Sequence, residues 1–366
     1  MARVIVTGAA GFIGSHVVAA LCARGDEVLA IDNFDALYPR AVKENNLIGL
    51  LRQGHKHFRF AELDICDADT VAEAFGQFEP ETVIHLAGRA GVRPSIANPS
   101  GWMYNNVIGT QVVLSAAHEA GVPRVVCASS SSVYGNCKVA PFAETLDVSE
   151  PISPYAASKR ACELLGYTHH HLTGQHVAML RFFTVFGPQQ RPDLAISIFL
   201  DKVAKGQALP VFGSLQTARD YTYISDIVRG VLSACEAIDA HGYRIWNLGS
   251  DRPVSLGEMI AAIGKVVGRE PILDLQPQRA GDVDRTWADL KRSRAELGYN
   301  PQTTFADGLA LQWQAQQAAA GTAKPARTTT ARTKTLAKKA VKPKTSPKTK
   351  SKTKPTAKPT AKTKRR

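Results

Sequence analysis

Gly8-Ala9-Ala10-Gly11-Phe12-Ile13-Gly14 follows directly on the apolar run Val4-Ile5-Val6-Thr7 and opens the helix-length segment Ile13 to Arg24. A short strand, a turn with three glycines and a helix set a helix N-terminus against a dinucleotide pyrophosphate. Gly8 allows the tight turn, Gly11 lets the backbone approach the pyrophosphate, and Gly14 lets helix and strand pack closely. Glycines alone could serve only a turn, but a second apolar run, Glu27 to Ile31, leads into Asp32-Asn33, eighteen residues after Gly14. An acid there accepts hydrogen bonds from an adenosine ribose and repels a 2′-phosphate, which favours NAD over NADP.

Outward from that turn, short apolar runs alternate with amphipathic stretches over the first 130 residues. Val4 to Thr7, Glu27 to Ile31, Phe58 to Leu63, Thr82 to Leu86 and Arg124 to Ser129 read as strands. Several are apolar throughout, as strands buried on both faces are. Ile13 to Arg24, Asp69 to Phe75 and Asn105 to Ala120 read as helices between them. Repeated strand, helix, strand units predict an α/β fold with a Rossmann-type doubly wound parallel sheet. A further helix is predicted from about Pro154 to Leu172 and a strand around Val177 to Phe183, followed by Pro- and Gly-punctuated segments. The chain thus divides into a nucleotide-binding domain over 1–180, a smaller, mainly substrate-binding part over 181–320, and a tail over 321–366.

The formal charge of the 366 residues is +13, and it is uneven: Gly321 to Arg366 carry 17 Lys and Arg and no Asp or Glu. Residues 1–320 therefore hold 28 basic against 32 acidic side chains, a net −4. The body must bind an anionic ligand with a few placed arginines and a helix terminus, not with bulk charge. The tail repeats Lys, Thr, Pro and Ala. It has too few large apolar side chains to offset a backbone ordering cost of roughly 1 to 2 kcal/mol per residue, so disorder is expected. Its cations suit nucleic acid or another polyanion through counterion release, with a merely solvated tail as the alternative.

No apolar run approaches the ~18 residues of a membrane span, and the N-terminus enters a strand pattern without a signal-peptide pattern. Six cysteines include no Cys-x-x-Cys pair. That fits free thiols in a reducing cytoplasm. His169-His170-His171 invites a metal reading, but consecutive helical positions point about 100° apart and cannot chelate one ion together, so no metal is expected.

Tyr155-Ala-Ala-Ser-Lys159 lies on the helix predicted after Pro154. Residues four apart share a helix face. A phenol is a poor base at neutral pH unless a nearby cation favours its ionised form, and Lys159 supplies one, so Tyr155 is a candidate general base. Upstream, the fifth strand runs into Ala128-Ser129-Ser130-Ser131-Ser132-Val133-Tyr134-Gly135. Hydroxyls at the carboxyl edge of a parallel sheet face the crevice where ligands bind. Taken singly, the first motif could be a surface helix pair and the second an ordinary turn.

The spacing Gly-x-x-Gly-x-x-Gly departs from the Gly-x-Gly-x-x-Gly of the common dehydrogenases. With Tyr-x-x-x-Lys it resembles the short-chain dehydrogenase/reductase family in its extended form. Further segments resemble the nucleotide-sugar epimerases of that family: His85-Leu-Ala-Gly88, Asn105-Asn106-Val-Ile-Gly-Thr110, Arg181-Phe-Phe-Thr-Val-Phe-Gly-Pro188, Arg219-Asp-Tyr-Thr-Tyr-Ile-Ser-Asp226 and Arg279-Ala-Gly-Asp282. The match runs in order over residues 1 to about 312. It implies NAD held by Gly8, Gly11, Phe12, Ile13, Gly14, Asp32, Asn33, Asp64, Ile65, Leu86, Ala87, Gly88, Asn105, Tyr155 and Lys159. It also implies that Ser130 hydrogen-bonds the reacting sugar hydroxyl, with Ser132 a second hydroxyl. Arg219 and Arg279 would hold the nucleotide diphosphate and Asp282 the uridine ribose. Extended members are commonly homodimers.

Sugar-nucleotide 4,6-dehydratases resemble one another in having Asp-Glu where this chain has Ser131-Ser132, and UDP-glucuronate decarboxylases carry Glu at the position of Ser132. Without those carboxylates the chemistry should stop at reversible oxidation of C4. The strongest resemblance is to UDP-glucuronate 4-epimerases, through Asp32-Asn-Phe-Asp35, Ala90-Gly-Val-Arg-Pro-Ser95, Ser129 to Gly135 and Arg181 to Pro188. It implies a UDP-sugar substrate touched by Arg93, with Thr184 and Arg191 on its C6 carboxylate, an arginine contact that is charge-assisted and often bidentate. Arg89 and Pro94 depart from the Gln and Tyr common among these relatives.

Overall fold

A computed structural model describes residues 1–52, 54–277 and 283–322. Its first half runs β1 (Arg3–Thr7), α1 (Phe12–Arg24), β2 (Glu27–Asp32), α2 (Arg40–Arg52), β3 (Phe58–Glu62), α3 (Ala68–Phe78), β4 (Thr82–His85), α4 (Val92–Ala97), α5 (Pro99–Met103), a π-helical turn (Tyr104–Ile108), α6 (Gly109–Glu119), β5 (Arg124–Ser130) and α7 (Pro154–Thr173). There follow β6 (His176–Phe182), β7 (Thr184–Phe186), α8 (Ala195–Ala204), β8 (Leu209–Phe212), β9 (Ala218–Tyr223), α9 (Ile224–Ala237), β10 (Tyr243–Leu248), β11 (Pro253–Ser255), α10 (Leu256–Val267), β12 (Leu273–Gln276), α11 (Lys291–Leu297) and α12 (Phe305–Thr322).

Seven parallel strands make the main sheet in the order β10-β6-β5-β4-β1-β2-β3. Each β-strand side chain alternates faces, and both faces are covered. Val4, Val6, Val28, Ala30 and Ile84 enter one core with Val17 and Leu21 of α1. Ile5, Leu29, Ile31 and Val83 enter a second with Phe75 of α3 and Val113 and Leu114 of α6. That is why these strands are apolar throughout. The chain order reverses at β1, between β4 and β2, and this switch point opens the crevice in which such sheets bind ligands.

After residue 181 the chain adds a three-stranded sheet, β11-β9-β7, and a two-stranded one, β12-β8. It also returns β10 to the main sheet beside β6. Phe199 of α8 and Ile263 of α10 share one apolar cluster with Val17 of α1, so the later elements are packed continuously with the first core.

The strand bounds differ from the sequence reading by a residue or so. Larger differences have local causes. Helix α3, capped at its start by Asp67, which accepts the Thr70 N–H at 3.3 Å, runs three residues beyond the read end, to Phe78, where Glu79 takes a left-handed backbone and its N–H donates to the Phe75 carbonyl. The single helix read over Asn105 to Ala120 contains a π-helical turn at 104–108. Helix α2 was not anticipated, because its buried face carries Lys43 and Asn46 beside Leu47 and Leu50. Among the described residues no helix is long and apolar enough to cross a membrane.

Candidate active site

The switch point carries a cleft of about 470 Å³ lined from both sides. One wall is the turn between β1 and α1. Gly8 has φ +68°, and a side chain there would put Cβ 2.7 Å from the Ala87 nitrogen. A Cβ on Gly14 would collide with the Gly8 carbonyl. The turn therefore fits only glycine, and it leaves the α1 N-terminus bare to the cleft, with no side-chain cap. A tight backbone turn that tolerates no Cβ at Gly8 or Gly14, ahead of an uncapped helix terminus, fits a dinucleotide pyrophosphate.

Asp32 closes the adjoining end. Its Oδ2 accepts the Ala10 N–H at 3.1 Å and its Oδ1 the Phe34 N–H at 2.8 Å, which fixes the loop after β2. Lys43 of α2 brings its ammonium to 3.6 Å from Asp32 and 4.9 Å from the Tyr38 ring. Burial, with Asp32 nearby, pushes the Tyr38 phenol above its ordinary value. Phe12, Ile13, Asn33, Ile65, Leu86, Ala87, Gly88 and Asn105 also line the cleft. Asp64, between the lining residues Leu63 and Ile65, is not itself among those lining the cleft, and its Oδ2 accepts the Asn33 side-chain amide at 3.1 Å.

The opposite wall is β5 and α7. Ser153 caps α7, accepting the Ala156 N–H at 3.1 Å, and the Tyr155 N–H donates to Ser95 Oγ at 3.1 Å. Tyr155 and Lys159 both face the cleft, one turn apart. Lys159 Nζ donates to the Ala128 carbonyl at 2.9 Å, and a methyl group at Gly88 would lie 3.3 Å from it. Ser130 ends β5, and its Oγ lies 3.1 Å from both the Ser132 amide nitrogen and Ser132 Oγ. Ser130, Ser132, Tyr155 and Lys159 thus meet in one cleft with the glycine turn.

These positions rest on a buried network whose pairings the sequence reading does not give. Glu163, one turn beyond Lys159, is fully buried. It accepts hydrogen bonds from Ser129 Oγ at 2.7 Å, from Arg181 at 2.8 and 2.9 Å, and from Arg160 at 3.0 Å. Asn106 donates to Ser158 Oγ at 2.9 Å and to the Arg89 carbonyl at 3.0 Å. His85 lies between Thr7 Oγ1, at 2.7 Å, and Thr110 Oγ1, at 3.1 Å. Burial, then the nearby Lys159 charge, pulls its imidazole down to about 3, so it is neutral. His85, Asn106, Thr110 and Arg181 stand in segments that carry the resemblance, but no pattern in the sequence pairs them with one another or points to Glu163.

Thr184 and Arg191 line the far end. The Arg191 guanidinium is engaged by Asp193 at 3.0 and 2.6 Å, and it lies 5.4 Å from the Tyr38 ring. Arg93 and Arg219 are not among the residues lining the cleft; Arg93 lies 6.0 Å from the Phe212 ring, and Arg219 donates to the Ala218 carbonyl at 2.9 Å. Arg279 and Asp282 lie outside the described residues. The acids of the Arg219 to Asp226 segment are structural. Asp220, fully buried, accepts hydrogen bonds from the backbone of Ser250, Asp251 and Ala288. Asp226 accepts those of Gln302 and Thr303. His169 and His170 both turn to Gln175, and among the described residues no three His, Cys, Asp or Glu gather as a metal site.

Comparison with known proteins gives the same picture. The chain is 37% identical over 312 residues to the UDP-glucuronate 4-epimerase of Thermodesulfobacterium geofontis, covering 84% of this chain and 94% of that protein. The fold superposes with a TM-score of 0.80 on UDP-glucuronic acid 4-epimerase from Bacillus cereus, crystallised with UDP-glucuronic acid and NAD, at 31% identity over 86% of this chain and 99% of that one. It superposes with a TM-score of 0.79 on UDP-glucose 4-epimerase from Thermotoga maritima with UDP-glucose, at 30% identity over 87% and 99%. Residues 4–249 match the NAD dependent epimerase/dehydratase family, and with the glycine cradle and the Ser, Tyr, Lys set in one cleft, the chain belongs to that family.

Proposed function

We propose that the protein interconverts UDP-glucuronate and UDP-galacturonate by NAD-dependent inversion at C4. The observation that carries this reading is the convergence of Ser130, Tyr155 and Lys159 with the glycine cradle in one cleft, at a sheet edge where positions 131 and 132 are serines. The cradle Gly8 to Gly14, Asp32 and Gly88 would hold NAD, which when bound accepts the C4 hydride and returns it to the other face of the 4-keto sugar. Tyr155 takes the proton of the 4-hydroxyl and gives it back. Ser130, oriented by Ser132, shares that hydroxyl's hydrogen bond. Lys159, steered by the Ala128 carbonyl, presents its amine nitrogen to the cleft that Tyr155 also lines. With no carboxylate at 131 or 132, no acid and base stand ready to eliminate water, and only C4 changes.

Thr184 and Arg191 are assigned to the C6 carboxylate. One observation favours a second reading, a neutral sugar such as that of UDP-glucose: Arg191 already has a carboxylate partner in Asp193. The test is to incubate the purified protein with UDP-glucuronate, UDP-glucose and UDP-N-acetylglucosamine, without added NAD, and to follow C4 inversion by NMR. Inversion of UDP-glucuronate is expected; inversion of UDP-glucose alone would overturn the carboxylate assignment.

Two partner assignments accompany this reading. A second copy of the chain is assigned to the exposed apolar side chains Tyr104 and Ile108 beside α6 and Leu164, Tyr167 and Leu172 on α7, which support a homodimer; a cytoplasmic location is proposed from the six free cysteines. Leu164→Glu with Tyr167→Glu should then yield monomers in light scattering; an unchanged mass would refute it. The 321–366 tail, outside the described residues from 323 on, is assigned to a polyanion such as nucleic acid. Retention on DNA that survives truncation after Thr322 would move that activity to the body.

A further inference from the structure

The ion pair between Arg89 and Asp35 has no part in the chemistry above, and the sheet order gives it a particular path. Asp35 lies in the loop after β2 and Arg89 in the loop after β4, and β1 lies between those two strands. Neighbouring strands are about 4.8 Å apart. A direct bond between the outer two loops therefore crosses the carboxyl end of β1, where the glycine turn begins. Arg89 Nε and Nη2 donate to Asp35 Oδ2 at 3.0 and 2.7 Å, and both residues line the cleft.

Each end of this bridge is anchored. Asp35 Oδ1 accepts the Leu37 N–H at 2.9 Å, and the Asp35 N–H donates to Asn33 Oδ1 at 2.9 Å. The Arg89 N–H donates to Asn106 Oδ1 at 2.7 Å, and Asn106 is tied to Ser158 of the catalytic helix. The guanidinium also lies 5.8 Å from the Trp102 ring, so it is held at its stem, its head and its ring contact.

We propose that Arg89 and Asp35 form a strap across the glycine turn that retains the dinucleotide throughout the catalytic cycle, which makes them positioning residues for the cofactor. The proposal rests on the epimerase reading in one respect. A hydride taken from C4 must be returned by the same cofactor molecule, whereas a dehydrogenase must exchange its cofactor at each turnover. A slow exit is useful only in the first case. The pair has a second consequence: Arg89 offsets a carboxylate that lines a cleft proposed to hold an anionic cofactor.

The test is the rate at which bound NAD leaves the full-length protein, chased with an excess of the fluorescent etheno analogue of NAD in the absence of sugar. Arg89→Gln should speed release by about tenfold, the equivalent of roughly 1.4 kcal/mol. Arg89→Gln with Asp35→Asn should release equally fast, because the strap is still open. A return to slow release in the double variant would overturn the strap in favour of simple charge balance, and unchanged release in Arg89→Gln would overturn it outright. In addition, 1 M salt should speed release from the wild type more than from the double variant, since a partly exposed pair is screened; equal acceleration counts against the strap. Because no sugar is present, a wild type that inverts no UDP-sugar would refute the epimerase reading and leave the release rates standing.

Discussion

Between Gly8 and Gly14 the cleft wall is backbone, and its shape depends on side chains that are missing: a Cβ at either end of the turn would strike main-chain atoms. Between Ser130 and Lys159 the wall is made of side chains, and these are held by further side chains, Glu163, Arg181, Ser129 and Asn106, buried behind them. The first wall should fail when atoms are added and the second when atoms are removed. The difference follows from what each wall handles. A pyrophosphate is recognised by N–H groups and a helix terminus, whereas a proton must be taken by one phenol held to within a fraction of an ångström.

Tyr155→Phe removes one oxygen from the second wall and gives the largest effect expected. Turnover should fall by at least the ~10²–10⁴-fold attributed to general acid–base catalysis, with NAD still bound in the purified protein. Substantial retained turnover would break the assignment, and loss of NAD would show that the two walls are not separable.

Glu163→Gln comes next. It leaves Arg181 buried without its counter-charge, and removing one partner of a buried pair costs about 3–5 kcal/mol. Arg181 Nη1 already lacks a hydrogen-bond partner among the described residues, although the guanidinium lies 4.8 Å from the Tyr134 ring. Glu163→Leu with Arg181→Met should recover most of the lost stability in urea titrations, since apolar replacements of buried pairs are often neutral. It should not recover kcat, because the register of α7 on β5 and β6 is no longer specified. Recovery of both would reduce the network to packing.

A smaller loss is expected at the first wall from an addition. In Gly14→Ala the new methyl must displace the Gly8 carbonyl. Overpacking of this kind costs about 1–3 kcal/mol, and here the shift falls on the cradle, so NAD content should drop more than the melting temperature does. A fully loaded Gly14→Ala protein would show that the turn has slack.

The same contrast explains how much could be read in advance. Glycines at fixed spacing after an apolar run are legible because a missing side chain has few other uses there, and Tyr155 and Lys159 are legible because four residues make one helical turn. The all-apolar strands likewise announce a sheet covered on both faces. Asn106, Glu163 and Lys43 are different: nothing in the sequence around each names its buried partner, which lies on another strand or loop 17, 18 and 11 residues away, at Arg89, Arg181 and Asp32. Helix α2 escaped notice for that reason, since its buried face is half polar. In the Arg219 to Asp226 segment the resemblance concerns Arg219, and the role of its acids, which hold backbone at Ser250 and Gln302, is not announced by the motif.

His85 stands where the two walls meet, and its titration offers the smallest effect that still sharpens the comparison. Thr110 Oγ1 donates to the Asn106 carbonyl at 2.6 Å, so it accepts from His85 Nε2. Thr7 Oγ1 accepts the Ala87 N–H at 3.2 Å and gives its own proton to His85 Nδ1. Every donor in this chain is used once, and a second proton on the imidazole would leave two donors facing each other at Thr7. Burial and the Lys159 charge act in the same direction, holding the folded-state value near 3 against the ordinary 6.5. The unfolded chain therefore takes up the proton first. The contribution to stability is complete above about pH 6.5 and is lost as pH falls toward 3, at up to roughly 1.4 kcal/mol per pH unit. His85→Gln keeps a donor and an acceptor but cannot titrate, so its urea midpoint should fall less steeply than that of the wild type between pH 6 and pH 4. Parallel curves would mean that the imidazole ionises in the folded protein and that Thr7, at the end of β1, is not tied to the catalytic side through a neutral ring.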